Sequence, residues 1–207
     1  NEQSLSLRVY KKDPSISGLG GLETADSRAV FKNVNVDMRQ FKKLRMFLHA
    51  EALEGNTNPD RLLDDEMIAF IRFGNDFTDN FYQVEMPLKV TAHGATSAEE
   101  IWPSENELEL PLALLTKLKI LALGNDPSII YDPNGIGFVE EESLGSSDNK
   151  LTLGIKGNPN FGLVRTLMVG LKNKNSGDPL RGEVWFNELR ISDMDNKGGY
   201  AAIANLD

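Results

Sequence analysis

The chain has 207 residues, of which 40% are hydrophobic and 26% are charged, and this is the composition of an ordinary folded protein. The sequence contains no cysteine, which excludes disulfide bonds, thiolate nucleophiles and cysteine-ligated metal sites. Its 31 acidic residues outnumber its 22 basic residues and give a net charge of −9. Nucleic acids and anionic lipids are bound mainly through clustered Lys and Arg, so we expect neither as a partner of this chain.

Alternating apolar and polar residues predict β-strands through the first half of the chain. The predicted strands of this half are residues 4–10, 29–36, 43–50, 67–73 and 80–90. In the strand at 43–50, Leu44 and Met46 face one way and His49 faces the other. Residues 67–73 are apolar at nearly every position, which is typical of a central strand covered on both faces. Pro87 lacks a backbone donor and predicts an edge strand or a bulge at that point.

One segment in the second half has helical spacing. Pro111 suits a first turn, leucines recur at helical spacing between residues 114 and 121, and Gly124 is a plausible C-terminal stop. Beyond a turn signal at 132–135, the remaining strands are predicted at residues 151–156, 164–172 and 183–191. Many short strands with one short helix predict a mainly-β chain that folds as an antiparallel β-sandwich.

No arrangement of residues in the sequence predicts catalysis. His49 and His93 do not stand in a metal-ligand spacing such as HExxH, and no GxSxG nucleophile elbow occurs. The glycine-rich stretch at residues 17–21 lacks the third glycine of a dinucleotide-binding fingerprint. We therefore expect a protein that is not an enzyme. A hydrolase that uses two carboxylates stays open as the weakest alternative, because any of the 31 acidic residues could contribute.

Aromatic side chains are the candidates for ligand binding, because exposed rings can stack on a ligand such as a sugar. We predict Trp102, which precedes Pro103 in a loop, and Tyr82 as ligand-binding residues. Tyr131 and Trp185 are further candidates, but Trp185 alternates within a predicted strand and suits a core position equally well.

No cofactor is expected, and a structural Ca²⁺ stays open as an alternative because Ca²⁺ prefers carboxylate and carbonyl oxygens. Acidic clusters occur at residues 64–66 and 140–142, and solvated loops are the simpler interpretation of both. Residues 193–198 look like the opening of an EF-hand loop, but Lys197 and Ala204 occupy positions where that loop needs oxygen ligands. The sequence therefore assigns no metal ligand.

The chain divides at a change of composition near residue 193. Residues 193–199 are rich in Gly, Asn and Asp, so we predict a β-sandwich domain at 1–192 and a linker at 193–207. The sequence begins at Asn1 without a methionine or a signal-peptide pattern, and we expect it to be a segment of a longer protein.

Two segments resemble strands of galactose-binding-like jelly rolls. They are GEVWFNELRI (residues 182–191) and VDMRQFKKLRMFLHA (residues 36–50). This resemblance implies a jelly-roll sandwich and, as an alternative function, a carbohydrate-binding module of a bacterial surface protein. Because many functions share this fold, the resemblance alone does not select one.

A more specific resemblance covers nearly the whole chain. Its segments are FIRFGNDFTDNFYQVEMPLKVT (residues 70–91), IWP (101–103), NEL (106–108), VWFNELR (184–190) and DNKGGYAA (195–202). They look like the SprA/Sov family of very large Bacteroidetes cell-surface proteins, which are required for gliding motility and type IX secretion.

The resemblance to SprA/Sov implies a noncatalytic structural or interaction domain of an outer-membrane translocon. It places the chain in the bacterial cell envelope, at the outer membrane or cell surface. Its implied partners are other translocon subunits and secreted cargo proteins, and only the barrel of the full-length protein would contact the membrane. It also implies that residues 200–207 begin a barrel strand.

Overall fold

The computed structural model describes residues 4–10, 20–53, 62–148, 150–174, 177 and 179–194. The strands within these residues are β1 (Leu5–Val9), β2 (Ser27–Val36), β3 (Lys43–Ala52), β4 (Met67–Gly74), β5 (Phe81–Pro87), β6 (Glu107–Pro111), β7 (Ile130–Tyr131), β8 (Gly137–Glu140), β9 (Thr152–Lys156), β10 (Val164–Asn173) and β11 (Gly182–Ser192). The helices are α1 (Ala98–Ile101) and α2 (Leu112–Leu123), and short 3₁₀ turns occur at Ser104–Asn106, Glu141–Leu144 and Phe161–Leu163.

The strands form two sheets that pack face to face. One sheet has four strands in the order β1-β11-β3-β6, and the other has seven in the order β2-β10-β4-β5-β9-β8-β7. The strand pairs are antiparallel, and β1 near the start of the chain pairs with β11 near its end. This arrangement confirms the predicted mainly-β antiparallel sandwich.

The hydrophobic core lies between the two sheets and follows from the alternation in the sequence. Leu44, Met46 and Leu48 of β3 are at most 4% exposed, as their shared face predicts. Ile71 of β4 faces the same core and is 1% exposed, and its outward neighbour Phe70 is only 5% exposed. Burial on both faces confirms the central position predicted for this strand. Burial of each such side chain stabilises the folded state by roughly 1.5–3 kcal/mol.

The prediction of an edge strand or a bulge at Pro87 is wrong. β5 lies between β4 and β9 in the seven-stranded sheet, and its register runs without a shift against both neighbours. The pairing of β5 with β9 ends at Glu85, opposite Thr152. Pro87 is the last residue of the strand and lies beyond that pairing. No carbonyl of β9 therefore depends on a backbone N–H at this position.

The predicted helix is present as α2, with Pro111 as its N-cap and Gly124 as its C-cap. It buries Leu114, Leu115 and Leu118, and it packs against β9 and the turn at Glu141–Leu144. A short segment of this kind is marginal alone in water, so packing on the sheet stabilises it. None of the helices in the described part of the chain is long and apolar enough to cross a membrane.

A second, four-residue helix, α1, was not predicted. Its Ser97 caps the backbone N–H of Glu100, and the Glu100 side chain accepts in return from the Ser97 backbone N–H. This reciprocal capping box is readable in the sequence as Ser-Ala-Glu-Glu at residues 97–100.

The last described strand, β11, ends at Ser192, and the predicted domain boundary there stays a prediction. Asp193 has a φ of +59°, which is the left-handed region, and Met194 is 51% exposed. The described residues end at 194. The rest of the predicted linker and the predicted barrel strand at residues 200–207 lie outside them, so both stay predictions.

Candidate functional site

Both tryptophans and one of the two histidines meet on the outer face of the four-stranded sheet. Trp185 of β11 is the direct cross-strand partner of His49 in β3, and their ring centroids are 4.4 Å apart. Trp102, which follows α1, lies 5.9 Å from the His49 ring and 6.3 Å from the Trp185 ring. We call these three side chains the aromatic cluster.

The loop over this cluster is fixed to the sheet at two points. The Thr91 backbone N–H donates to the carbonyl of Ala50 at 2.7 Å, which brings residues 91–95 beside β3. The capping box then sets the direction of α1, so that the Ile101 carbonyl at its end lies 2.7 Å from Nδ1 of His49. The sheet and the helix together therefore position His49.

His49 is buried, with 2% of its surface exposed. A carbonyl oxygen can only accept, so Nδ1 carries a proton and donates it to Ile101. The Thr91 hydroxyl lies 3.1 Å from the same nitrogen. Nε2 faces Oε2 of Glu51 at 3.4 Å. The imidazole thus anchors α1 through one nitrogen and presents the other to a carboxylate.

A pocket of about 160 Å³ opens beside the cluster. Trp185, His49 and Glu51 of the sheet line it, together with residues 92–95 of the loop, which are Ala, His, Gly and Ala. This volume is similar to that of a benzene-sized cavity, so the pocket can hold one side chain or one small ring.

Glu183 fixes the orientation of the Trp185 indole. Its Oε1 accepts from the indole Nε1 at 2.9 Å, and Ser6 and Arg8 of β1 also donate to the carboxylate. Burial alone would raise the pKa of Glu183, but the hydrogen bonds from Ser6, Trp185 and Arg8 outweigh it and lower that pKa. The Trp185 wall of the pocket is therefore held by an ionised and fully engaged carboxylate.

The structure separates the two residues predicted to bind a ligand. Trp102 is half-buried in the aromatic cluster, beside the pocket. Tyr82 faces the core from β5, is 2% exposed, and stacks on Phe161 with ring centroids 4.9 Å apart. Its burial raises the pKa of the phenol to about 12. The Tyr82 ring is thus not open to a ligand from solvent, whereas Tyr131 is 54% exposed on β7.

Sequence reasoning missed Glu51 and Thr91 as members of the site. The alternation did place His49 on the outward face of β3, but its partner Trp185 lies 136 positions away in sequence (185 − 49). Only the pairing of β3 with β11 brings the two together. The capping box at Ser97 was the one local signal that could have indicated an ordered loop here.

The outer face of the seven-stranded sheet carries a polar ladder of four side chains. Lys172 donates to both carboxylate oxygens of Glu85 at 3.1 Å, and Gln83 donates to Glu85 at 2.6 Å. Arg72 donates to the side-chain amide oxygen of Gln83 at 2.8 Å, and its guanidinium lies 4.0 Å from the centroid of the Phe81 ring. Burial lowers the pKa of Arg72. Each of the four groups finds a partner within the sheet, which indicates a structural role.

The edge of the same sheet presents an apolar surface at β2. In the part of the chain that the structure describes, this ten-residue strand pairs only with β10. Phe31 at its centre is 65% exposed and packs edge-on against Phe77, with centroids 4.9 Å apart. Val30, the preceding residue, is 39% exposed on the opposite face of the strand. An unpaired strand edge with exposed apolar side chains is a favourable surface for contact with another protein.

The acidic clusters have structural uses, and one of them is not a solvated loop. Glu141 is 1% exposed and accepts from the backbone N–H groups of Lys150 and Leu151 at 2.8 and 3.0 Å. Asp64 accepts from the backbone N–H of Val90 at 2.8 Å. Among residues with described positions, no group of three or more His, Asp or Glu side chains could hold a metal ion. Residues 195–198 of the EF-hand-like stretch lie outside them, so a structural Ca²⁺ stays a prediction.

Comparison with known families gives a match along the whole chain. The model of the family SprA_N, described as a motility related/secretion protein, matches residues 1–207. A search of curated proteins found no match.

Proposed function

Because the chain belongs to the SprA_N family of motility-related and secretion proteins, we propose that it is a noncatalytic structural and interaction domain of a type IX secretion translocon. The observation that carries the proposal is the match to that family along all of residues 1–207. On this proposal the chain is part of a very large outer-membrane protein needed for secretion and gliding motility. Its partners are other translocon subunits and secreted cargo proteins at the cell surface.

The surface around Phe31 is the contact region that supports this role best. It combines an exposed ring, an exposed Val30 and a strand edge whose outward N–H and C=O groups have no partner strand in the described structure. A partner that lies along β2 would bury these side chains and pair those groups, and both effects favour association. The side chain of Phe31 also lies on Phe77, so the patch continues from the edge onto the sheet face.

A substitution at Phe31 tests the proposal in a gliding bacterium that carries this protein. Phe31→Lys places a charge on the strand edge, and edge lysines oppose pairing with another strand. We expect loss of most gliding and of most secreted type IX cargo, measured by colony spreading and by the proteins in the culture medium. Ile120→Lys on α2 is the matched control, because Ile120 is also 65% exposed.

Two checks make the result decisive. Both variant proteins must reach the wild-type amount in the envelope, which excludes loss by degradation. If Phe31→Lys then secretes and glides like the wild type, the surface at β2 is not the contact region. If a deletion of the whole domain also secretes and glides normally, the proposed function is wrong.

One observation favours the alternative function, a carbohydrate-binding module. The aromatic cluster contains Trp102 and lies beside a pocket large enough for one sugar ring. Strong binding on a glycan array that is lost on Trp102→Ala would favour this function over the first.

A further inference from the structure

The pocket beside the aromatic cluster contains a carboxylate with few partners. Glu51 and Glu183 are direct cross-strand neighbours on the same face of the sheet. Glu183 is engaged by Ser6, Arg8 and Trp185, whereas the Glu51 side chain faces Nε2 of His49 at 3.4 Å. The Glu51 side chain is 42% exposed toward the pocket. Two like charges directly opposite each other are unfavourable, so a cation beside Glu51 would relieve the repulsion.

The other walls of the pocket also favour a cation. Trp185 offers an indole ring, and the face of an aromatic ring attracts ammonium and guanidinium groups. His49 also lines the pocket, and its Nδ1 donates to the Ile101 carbonyl, which holds the imidazole in place. No lysine or arginine is found among the described residues that line the pocket.

The size of the pocket selects the form of the cation. About 160 Å³ is enough for a four-carbon chain that ends in an ammonium group. The side chains of Ala92 and Ala95 would contact the chain, while the Glu51 carboxylate would accept from the ammonium. The net charge of −9 on the 207-residue chain would also favour the approach of a basic partner.

We propose that the pocket between Trp185, His49 and Glu51 binds a lysine side chain of a partner protein. The inference rests on the proposed function in one respect, because the lysine must belong to a partner protein. The site itself lies on the four-stranded sheet, apart from the surface at β2.

Titration of the ¹⁵N-labelled 207-residue chain with n-butylammonium tests the site. The chain has two tryptophans and therefore two indole N–H resonances, and the one that remains in Trp102→Phe belongs to Trp185. We expect the Trp185 resonance to shift and saturate, with a dissociation constant on the order of millimolar. Nα-acetyl-lysine methylamide should produce the same shift, and n-butanol, which lacks the charge, should produce no saturable shift.

Two variants separate the pocket from the general negative charge of the protein. Glu51→Gln should weaken n-butylammonium binding roughly fivefold, as expected for loss of one partly exposed ion pair. Glu99→Gln, an exposed position in α1 that does not line the pocket, should leave the affinity unchanged. Unfolding curves of both variants verify that the fold is retained.

Three results would overturn the inference. They are equal shifts with n-butanol, unchanged affinity in Glu51→Gln, and saturation by galactose in place of n-butylammonium. The last result would support the carbohydrate-binding alternative. Failure of this titration is distinguishable from failure of the proposed function, because the titration uses purified protein and the Phe31→Lys experiment reads secretion in cells.

Discussion

Buried polar groups on the outer faces of the two sheets find their hydrogen-bond partners in different parts of the chain. On the seven-stranded sheet, Glu85 is 5% exposed, and its partners Lys172 and Gln83 are supplied by β10 and β5. On the four-stranded sheet, His49 is 2% exposed, but its partner Ile101 is the last residue of α1, which lies in the connection between β5 and β6. A network closed within a sheet serves stability, whereas one completed by a loop can leave a group such as Glu51 free to meet a ligand.

Removal of Glu85 should have the largest effect on stability. Glu85→Ala leaves the buried Gln83 and the partly exposed Lys172 without their acceptor. We expect a loss of about 2–3 kcal/mol in the free energy of unfolding, measured in urea. The matched control Glu109→Ala removes a partly exposed partner of Lys43 and Arg45 and should cost under about 1 kcal/mol. Equal losses in the two variants would show that the polar ladder has no special role.

Replacement of His49 should have an intermediate effect that is local to the loop. His49→Phe keeps a ring between the tryptophans but removes the donor to the Ile101 carbonyl. We expect a loss of about 1–2 kcal/mol. Hydrogen exchange in α1 should become faster than in the wild type, and by a larger factor than in β4. The control His93→Phe, at an exposed position, should change neither quantity. If α1 exchanges at the wild-type rate in His49→Phe, the histidine does not anchor the loop.

The smallest effect should come from Glu183 and should depend on pH. The folded state lowers the pKa of this carboxyl below its ordinary value of 4.5, so its ionised form stabilises the fold at neutral pH. The contribution of this carboxylate to stability is fully present above pH 4.5. It is lost as the pH falls through the lowered pKa of the folded state.

Glu183→Gln should therefore be less stable than the wild type by about 1 kcal/mol or less at pH 7. The difference should shrink as the pH falls below 4.5. Unfolding in urea at a series of pH values measures it. A difference that is the same at every pH would contradict the role of the charge.

The strands that the sequence predicts well are those with a local signal. Leu44, Met46 and Leu48 alternate with polar residues, so β3 and its inward face were predictable. β6 was missed, although it also alternates, because it is only five residues long and runs directly into α2. β7 and β8 have two and four residues and carry too little pattern to be recognised.

The candidate site was harder to predict than the fold, because it depends on contacts between distant segments. Phe81 and Tyr82 are both at most 2% exposed, so the alternation in β5 could not show which of them faces the core. Trp102 was identified as a loop residue, but its contact with His49 needs the path of α1 across the sheet. The position of Glu51 opposite Glu183 depends on a strand register that no local pattern encodes.

The most direct measurement of the central claim is the amount of type IX cargo in the culture medium of Phe31→Lys cells beside Ile120→Lys cells. With equal amounts of both variant proteins in the envelope, an interaction domain that uses the β2 surface predicts strongly reduced cargo in the first strain and wild-type cargo in the second. Wild-type cargo in both strains would contradict it.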